Sequence, residues 1–182
     1  MNKKLNKKLK SKKGFNTILN AISLFVFIIL VAFFVDLATI TWKSIVTTQL
    51  TNDLTRTLCV QSGVQTSVPP NFPGGQNNYT TSSQLYNDLK TQLKDKANIT
   101  DFKVTIKSYD KNGKSNRTTV LNSGTQLNVD YRGRVQVQME THYTWGFVGN
   151  FIPGLKQDKD FNAIRSGVTE FKYNYDEWIG ED

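Results

Sequence analysis

The sequence predicts an α+β protein in which a long N-terminal helix, transmembrane in its first half and amphipathic in its second, packs against a small antiparallel β-sheet. Three observations carry this prediction. An apolar run occupies 18–40, interrupted by Asn20, Ser23, Asp36 and Thr39. Directly after it, Trp42, Ile45, Val46, Leu50, Leu54 and Leu58 recur at three- and four-residue steps, the spacing of one helical face. Beyond 100 the pattern changes to strict alternation, the period of strands with one buried face.

The basic tail over 1–14 comes first. Of the 23 basic residues, seven are lysines within the first thirteen positions, and the net charge of +8 is concentrated there. The rest of the chain is close to neutral, so the charge reads as a topology signal rather than as a nucleic-acid surface. The tail is too polar to fold alone and is expected to be disordered or to lie on lipid headgroups. The span itself is assigned to 15–41. Its twenty-three residues from 18 to 40 rise ~34 Å as a helix, enough to cross a bilayer with some tilt. Trp42 and Lys43 are expected at the membrane interface, where an indole and a snorkelling ammonium are both accommodated. Lysines before the span and few directly after it predict a cytoplasmic N-terminus and an extracytoplasmic C-terminal domain in a single-pass membrane protein. A cleaved secretory signal is the competing assignment, but the apolar core is long and no Ala-x-Ala follows it.

Asn20 and Asp36 are the candidate intramembrane contacts. A carboxylate in hydrocarbon is unfavourable by several kcal/mol unless it pairs, protonates or reaches water. Asp36 is therefore either a contact to a partner helix or a wet residue near the outer interface. The helix is expected to continue over 42–60, with Ile45, Val46, Leu50, Leu54 and Leu58 packing under the sheet. Thr47, Thr48, Asn52, Asp53 and Arg56 are assigned to the polar positions around that stripe. Without Gly or Pro from 15 to 60, one helix of ~69 Å is possible, with Gln61-Ser62-Gly63 as its stop.

A surface loop over 61–81 contains Pro69, Pro70, Pro73, Gly74 and Gly75. The extracytoplasmic α+β domain is assigned to 82–182. Thr81-Ser82-Ser83-Gln84 has capping-box spacing, and Leu85, Leu89 and Leu93 follow on one face of a helix over 82–96. Phe102, Val104 and Ile106 alternate with polar residues as a strand. Asn112-Gly113 is a hairpin signal, with a return strand from Thr118 to Leu121. Val135, Val137, Met139, Thr141 and Tyr143 mark a further strand, an irregular crossover follows over 145–159, and 168–175 is assigned to the last strand. The simplest arrangement is an antiparallel meander leaning on a helix.

Chemistry is sparse. Cys59, the one cysteine, excludes an internal disulfide and reads as a small core residue. His142, the one histidine, has no catalytic motif around it and reads as an exposed strand residue. Asp110-Lys111-Asn112-Gly113 resembles the start of a calcium loop without its later ligands and reads as a turn. Three Asn-x-Thr sites, at Asn78, Asn98 and Asn116, match glycosylation acceptors. Tyr173, Tyr175 and Trp178 near the acidic end read either as partly buried packing or as an aromatic contact patch. No catalytic, cofactor or metal residues are assigned.

The layout is similar to that of type IV pilin-like proteins, and within them most resembles the TadE-like pseudopilins of tight-adherence and related bacterial systems, including relatives in Gram-positive mobile elements. The likeness rests on Lys13-Gly14-Phe15, the span over 18–40, and Arg134-Val135-Gln136-Val137-Gln138-Met139 followed by Tyr143, Pro153 and Ser166-Gly167-Val168-Thr169-Glu170. It implies a pilin-like fold and a non-catalytic structural subunit of a pilus, secretion, adhesion or conjugation assembly. The lipid bilayer and other pilin-like subunits would be its partners, with neither nucleic acid nor a small-molecule substrate. It also implies a processing site at Gly14 and Phe15. The chain departs from the family at the fifth residue beyond Gly14, where Leu19 stands instead of Glu, and this leaves processing and the family's Glu-mediated contact open. The alternatives are an independent membrane-anchored binding module and a protein secreted after signal cleavage.

Overall fold

A computed structural model describes residues 2–69, 72, 78–152, 154 and 159–170. The protein is α+β: a long N-terminal helix precedes antiparallel sheets. The chain divides into two units, Met1–Ile40 with Thr144–Asp158, and Thr41–Tyr143 with Lys159–Asp182.

Helix α1 covers Asn2–Val60 without a break and belongs to both units. It therefore begins well before the expected start at Phe15, and the tail, expected to be disordered or to lie on lipid headgroups, is helical. Lysine and leucine are good helix formers, and extending an existing helix avoids the unfavourable nucleation step. The helix ends where the sequence predicts. Ser62 adopts a left-handed φ of 51°, and Gln61 N donates to Thr57 O at 2.9 Å.

In the second unit α1 presents two adjacent rows, four residues apart within each. Val46, Leu50, Leu54 and Leu58 are buried, and beside them so are Thr47, Thr51, Thr55 and Cys59. Two expectations change here. Ile45 is 43% exposed and lies off the packed face, and Thr47 is buried rather than at a polar position. The stripe therefore runs through Val46 at strict four-residue steps, which leaves Ile45 one position to the side. The Thr51 and Thr55 hydroxyls donate to the carbonyls of Thr47 and Thr51 at 2.6 and 2.7 Å, so these buried oxygens are satisfied within the helix itself.

Helix α2, Ser82–Ala97, begins with the capping box: Thr81 Oγ1 accepts from Gln84 N, and Gln84 Oε1 accepts from Thr81 N at 2.9 Å. Leu85, Leu89 and Leu93 are buried. The helix closes on Asn98 at φ 50°, with Ile99 N donating to Leu93 O.

The main sheet contains β2 (Phe102–Tyr109), β3 (Ser115–Val120), β5 (Arg134–Tyr143) and β6 (Lys159–Val168) in the order β3-β2-β5-β6. A plain meander would place β5 beside β3, so the expected connectivity is corrected. The reason lies in β3, whose Ser-Asn-Arg-Thr-Thr-Val is almost wholly exposed and suits only an edge. In the β2–β3 turn, Asp110 Oδ1 accepts from Asn112 N at 2.9 Å and Lys114 N at 2.8 Å, and Gly113 has φ 80°. That carboxylate is occupied as a turn acceptor.

The last strand is also displaced. It covers Lys159–Val168 instead of 168–175, and 171–175 lies outside the described residues, as does the Tyr173, Tyr175 and Trp178 cluster. The inward positions of β6 include Ala163 and Gly167, opposite Met139 and Val135. A Cβ on Gly167 would stand 2.5 Å from Cys59 Sγ, so helix and strand approach too closely for a larger residue. A two-stranded ladder, β1 (Gly63–Val64) with β4 (Leu127–Asn128), was not expected. Gly63 has φ 125°, and a Cβ there would collide with Leu127 O. The core of this unit unites the α1 stripe, the α2 leucines, and Val104, Ile106, Val135, Val137 and Met139.

Candidate functional site: an apolar helix and the aspartate within it

From Phe15 to Leu37 the large apolar side chains of α1, Ile29 excepted, are 40–63% exposed. They occupy consecutive positions, among them Leu24, Phe25, Val26, Phe27 and Ile28, so they point in all directions around the helix axis. Gly14–Val60 contains the one described segment long and apolar enough to cross a membrane; its most apolar stretch has a mean hydropathy of 2.9 and no buried residues. Asn20 is exposed on this surface. Gly14 and Phe15 lie inside the continuous helix, and a Cβ on Gly14 would meet nothing within 4 Å, so backbone conformation does not demand glycine there.

Asp36 is neither wet nor open to a partner helix. It is 4% exposed, and both carboxylate oxygens are engaged inside the first unit. Oδ1 accepts from Phe147 N at 3.0 Å, and Oδ2 accepts from Val148 N at 2.7 Å. These donors open the short helix α3, Val148–Phe151, in the crossover after β5. One turn earlier on α1, the Phe33 ring stacks on Trp145, with centroids 5.7 Å apart and planes 12° apart. Gly146 lies between these two contacts, and a Cβ on it would stand 3.4 Å from Asp36 Oδ1. Charge-assisted hydrogen bonds to two backbone donors are what a buried carboxylate requires. Sequence reasoning singled out Asp36 and missed its donors, which are backbone groups and leave no side-chain signature.

Trp42 and Lys43, expected at a membrane interface, fall in the second unit. The Trp42 indole Nε1 donates to Lys96 O at 2.8 Å, which joins α1 to the last turn of α2. His142 is exposed on β5; its Nδ1 lies 2.6 Å from Asp160 Oδ1, and its Nε2 lies 4.0 Å from Asp101 Oδ2. Among the described residues no group of three or more His, Cys, Asp or Glu side chains could hold a metal ion. Cys59 lines a cleft of ≈ 400 Å³ with Asn52, Arg165, Gly167 and Glu170. Burial, with the charge of Glu170 adding to it, pushes the Cys59 thiol from 9.0 up to about 11. A thiol held protonated in this way is a poor nucleophile. Compared with family models, with curated proteins and with solved structures, the chain matches none of them.

Proposed function

We propose that the protein is a non-catalytic, single-pass membrane subunit with a cytoplasmic N-terminus, pilin-like in plan, whose apolar helix packs in the bilayer against copies of itself or related subunits. One observation carries this proposal. Over 24–28 the apolar surface of α1 is exposed around its whole circumference, while the same helix supplies Val46, Leu50, Leu54 and Leu58 to a folded core. An all-round apolar helix is stable in lipid or among other apolar helices and unfavourable in water. The lysine-rich start supports the inward N-terminus.

Single cysteines at 24–31, in a Cys59→Ser background and in membranes of the native host, test assembly. Oxidation should give a ladder of cross-linked species at positions on one helix face. Monomer at every position would instead favour the independent binding module. Intact mass of the same protein should begin at Met1, or at Phe15 if pilin-type processing occurs. A mass beginning beyond Ala38 would overturn the anchored subunit.

A further inference from the structure

The first unit holds a second apolar surface that the spanning helix does not account for. Phe147 is 59% exposed and Ile152 is 44% exposed, both on the crossover after β5. The Asp36 hydrogen bonds and the Phe33–Trp145 stack set the level of this segment along α1: residues 145–148 lie beside residues 33–36. Phe33, Phe34 and Leu37 are also exposed there, and Phe33 meets Phe34 edge-on at 5.9 Å. This patch continues directly from the apolar surface of the span.

The level matters because of bilayer thickness. Residues 15 to 34 of a helix rise ~30 Å, the thickness of the hydrocarbon core. If Phe15 lies at one edge of that core, Phe34 lies at the other, and Trp145 stacked on Phe33 falls at the belt where aromatic rings concentrate. Asp36 stands just beyond, with both oxygens satisfied by N–H groups. We infer that residues 145–152 are a second lipid-binding element, a wedge that Asp36 holds against the helix so that Trp145, Phe147 and Ile152 enter the distal leaflet interface.

Lipid fits this surface better than another copy of the helix does. Contacts between helices in membranes favour small residues that let backbones approach, whereas this surface is built of Phe33, Phe34, Leu37, Phe147 and Ile152. The segment Trp145-Gly146-Phe147-Val148-Gly149 has no charged side chain to keep in water. Gly146 lies directly against the Asp36 carboxylate, within 3.4 Å of where a Cβ would stand, so the crossover lies close on the helix. The edge of the hydrocarbon core then falls near residue 34 rather than at Trp42.

The wedge presupposes the spanning helix proposed above, and one experiment separates the two. Full-length Cys59→Ser protein would carry a nitroxide at Phe147→Cys, Ile152→Cys, Phe27→Cys or Asn112→Cys, in vesicles of phosphatidylcholine with phosphatidylglycerol. Labels at 147 and 152 should collide with oxygen more often than with a water-soluble nickel chelate, as the label at 27 should, and the label at 112 should show the reverse. Asp36→Ala should shift the label at 147 toward the aqueous values of 112 while leaving 27 unchanged. Aqueous values at 147 and 152 with a lipid value at 27 would overturn the wedge and leave the span standing. Aqueous values at 27 would overturn both. Low collision with both reagents at 147 and 152 would mean a protein contact, such as a second copy, and would also overturn the wedge.

Discussion

Leu54→Ala and Ile45→Ala differ sharply in expected effect, although both positions belong to the apolar pattern of α1. Leu54 is 2% exposed within the core of the second unit, and Ile45 is 43% exposed. Truncating a fully packed leucine removes buried methylene surface and leaves a cavity, and such changes destabilise by about 2.7–5 kcal/mol. Surface truncation is usually within about 0.5 kcal/mol. A domain of this size has a total stability of about 5–15 kcal/mol, so Leu54→Ala removes a large share of it. With a urea slope of about 2 kcal/mol/M, its midpoint should fall by roughly 1.4–2.5 M. Leu54→Asp should go further, because a carboxylate at that position has no partner and should leave the domain unfolded. The assay is pulse proteolysis of the full-length protein in micelles across a urea series, read at cleavage sites in the second unit. Equal midpoint shifts for Ile45→Ala and Leu54→Ala would refute the buried row through Val46. Wild-type protease resistance in Leu54→Asp would refute the packing of α1 into this core altogether.

Other positions offer tests of opposite sign. Thr47 Oγ1 is buried without a hydrogen-bond partner, so Thr47→Val should stabilise by about 1 kcal/mol and raise the same urea midpoint. Gly63→Ala should destabilise by several kcal/mol, about what a left-handed alanine and a backbone collision together impose, read as early protease cleavage. Gly167→Ala must displace Cys59 and should cost about 1–3 kcal/mol by the same assay. Because the folded Cys59 thiol titrates at about 11 against 9.0, iodoacetamide alkylation at pH 8 should be ~100-fold slower in folded protein than in urea. The sign for stability follows from the raised value. The contribution of the neutral thiol is fully present below pH 9.0 and is lost as pH rises through about 11.

Local patterns were legible in the sequence wherever one element carries its own signal. The capping box at Thr81 and Gln84, the leucines of α2, the alternation of β2 and β5, and the helix stop at Ser62 all depend on neighbours a few residues apart. Features set by distant partners were not. The β1–β4 ladder is two residues long on each side, too short for any periodicity. Strand β6 carries little apolar alternation, because close approach of α1 requires Gly167 at an inward position, so its buried face is small rather than apolar. The row Thr47, Thr51 and Thr55 reads as polar in sequence, yet Thr51 and Thr55 bury hydroxyls already bonded to the preceding turn.

The same distinction between local and distant signals governs the candidate site. Hydropathy alone reveals the apolar helix, and composition alone makes Asp36 conspicuous within it. Its partners are 111 and 112 residues away and contribute only backbone N–H groups, which every segment of the chain possesses. What singles out this crossover is the set of side chains around those donors. Trp145 supplies a ring at the level of Phe33, Gly146 lies against the carboxylate, and Phe147 and Ile152 face outward. An unpaired aspartate in the apolar run would be costly, and an exposed Trp-Gly-Phe segment in water would be an aggregation hazard. Placed against each other, the carboxylate gains its donors, and the aromatic segment gains a fixed place beside an apolar helix. The two features are therefore better understood as one device than as two defects. That makes Asp36→Asn a sharper probe than Asp36→Ala. The amide keeps the volume and one acceptor oxygen but offers no second acceptor, so it should loosen one of the two contacts, to Phe147 N–H or to Val148 N–H, and leave the helix intact. Amide hydrogen exchange at Phe147 or Val148 should then quicken while exchange along residues 24–31 stays unchanged. Unchanged protection at both Phe147 and Val148 would show that the carboxylate does not hold the crossover in place.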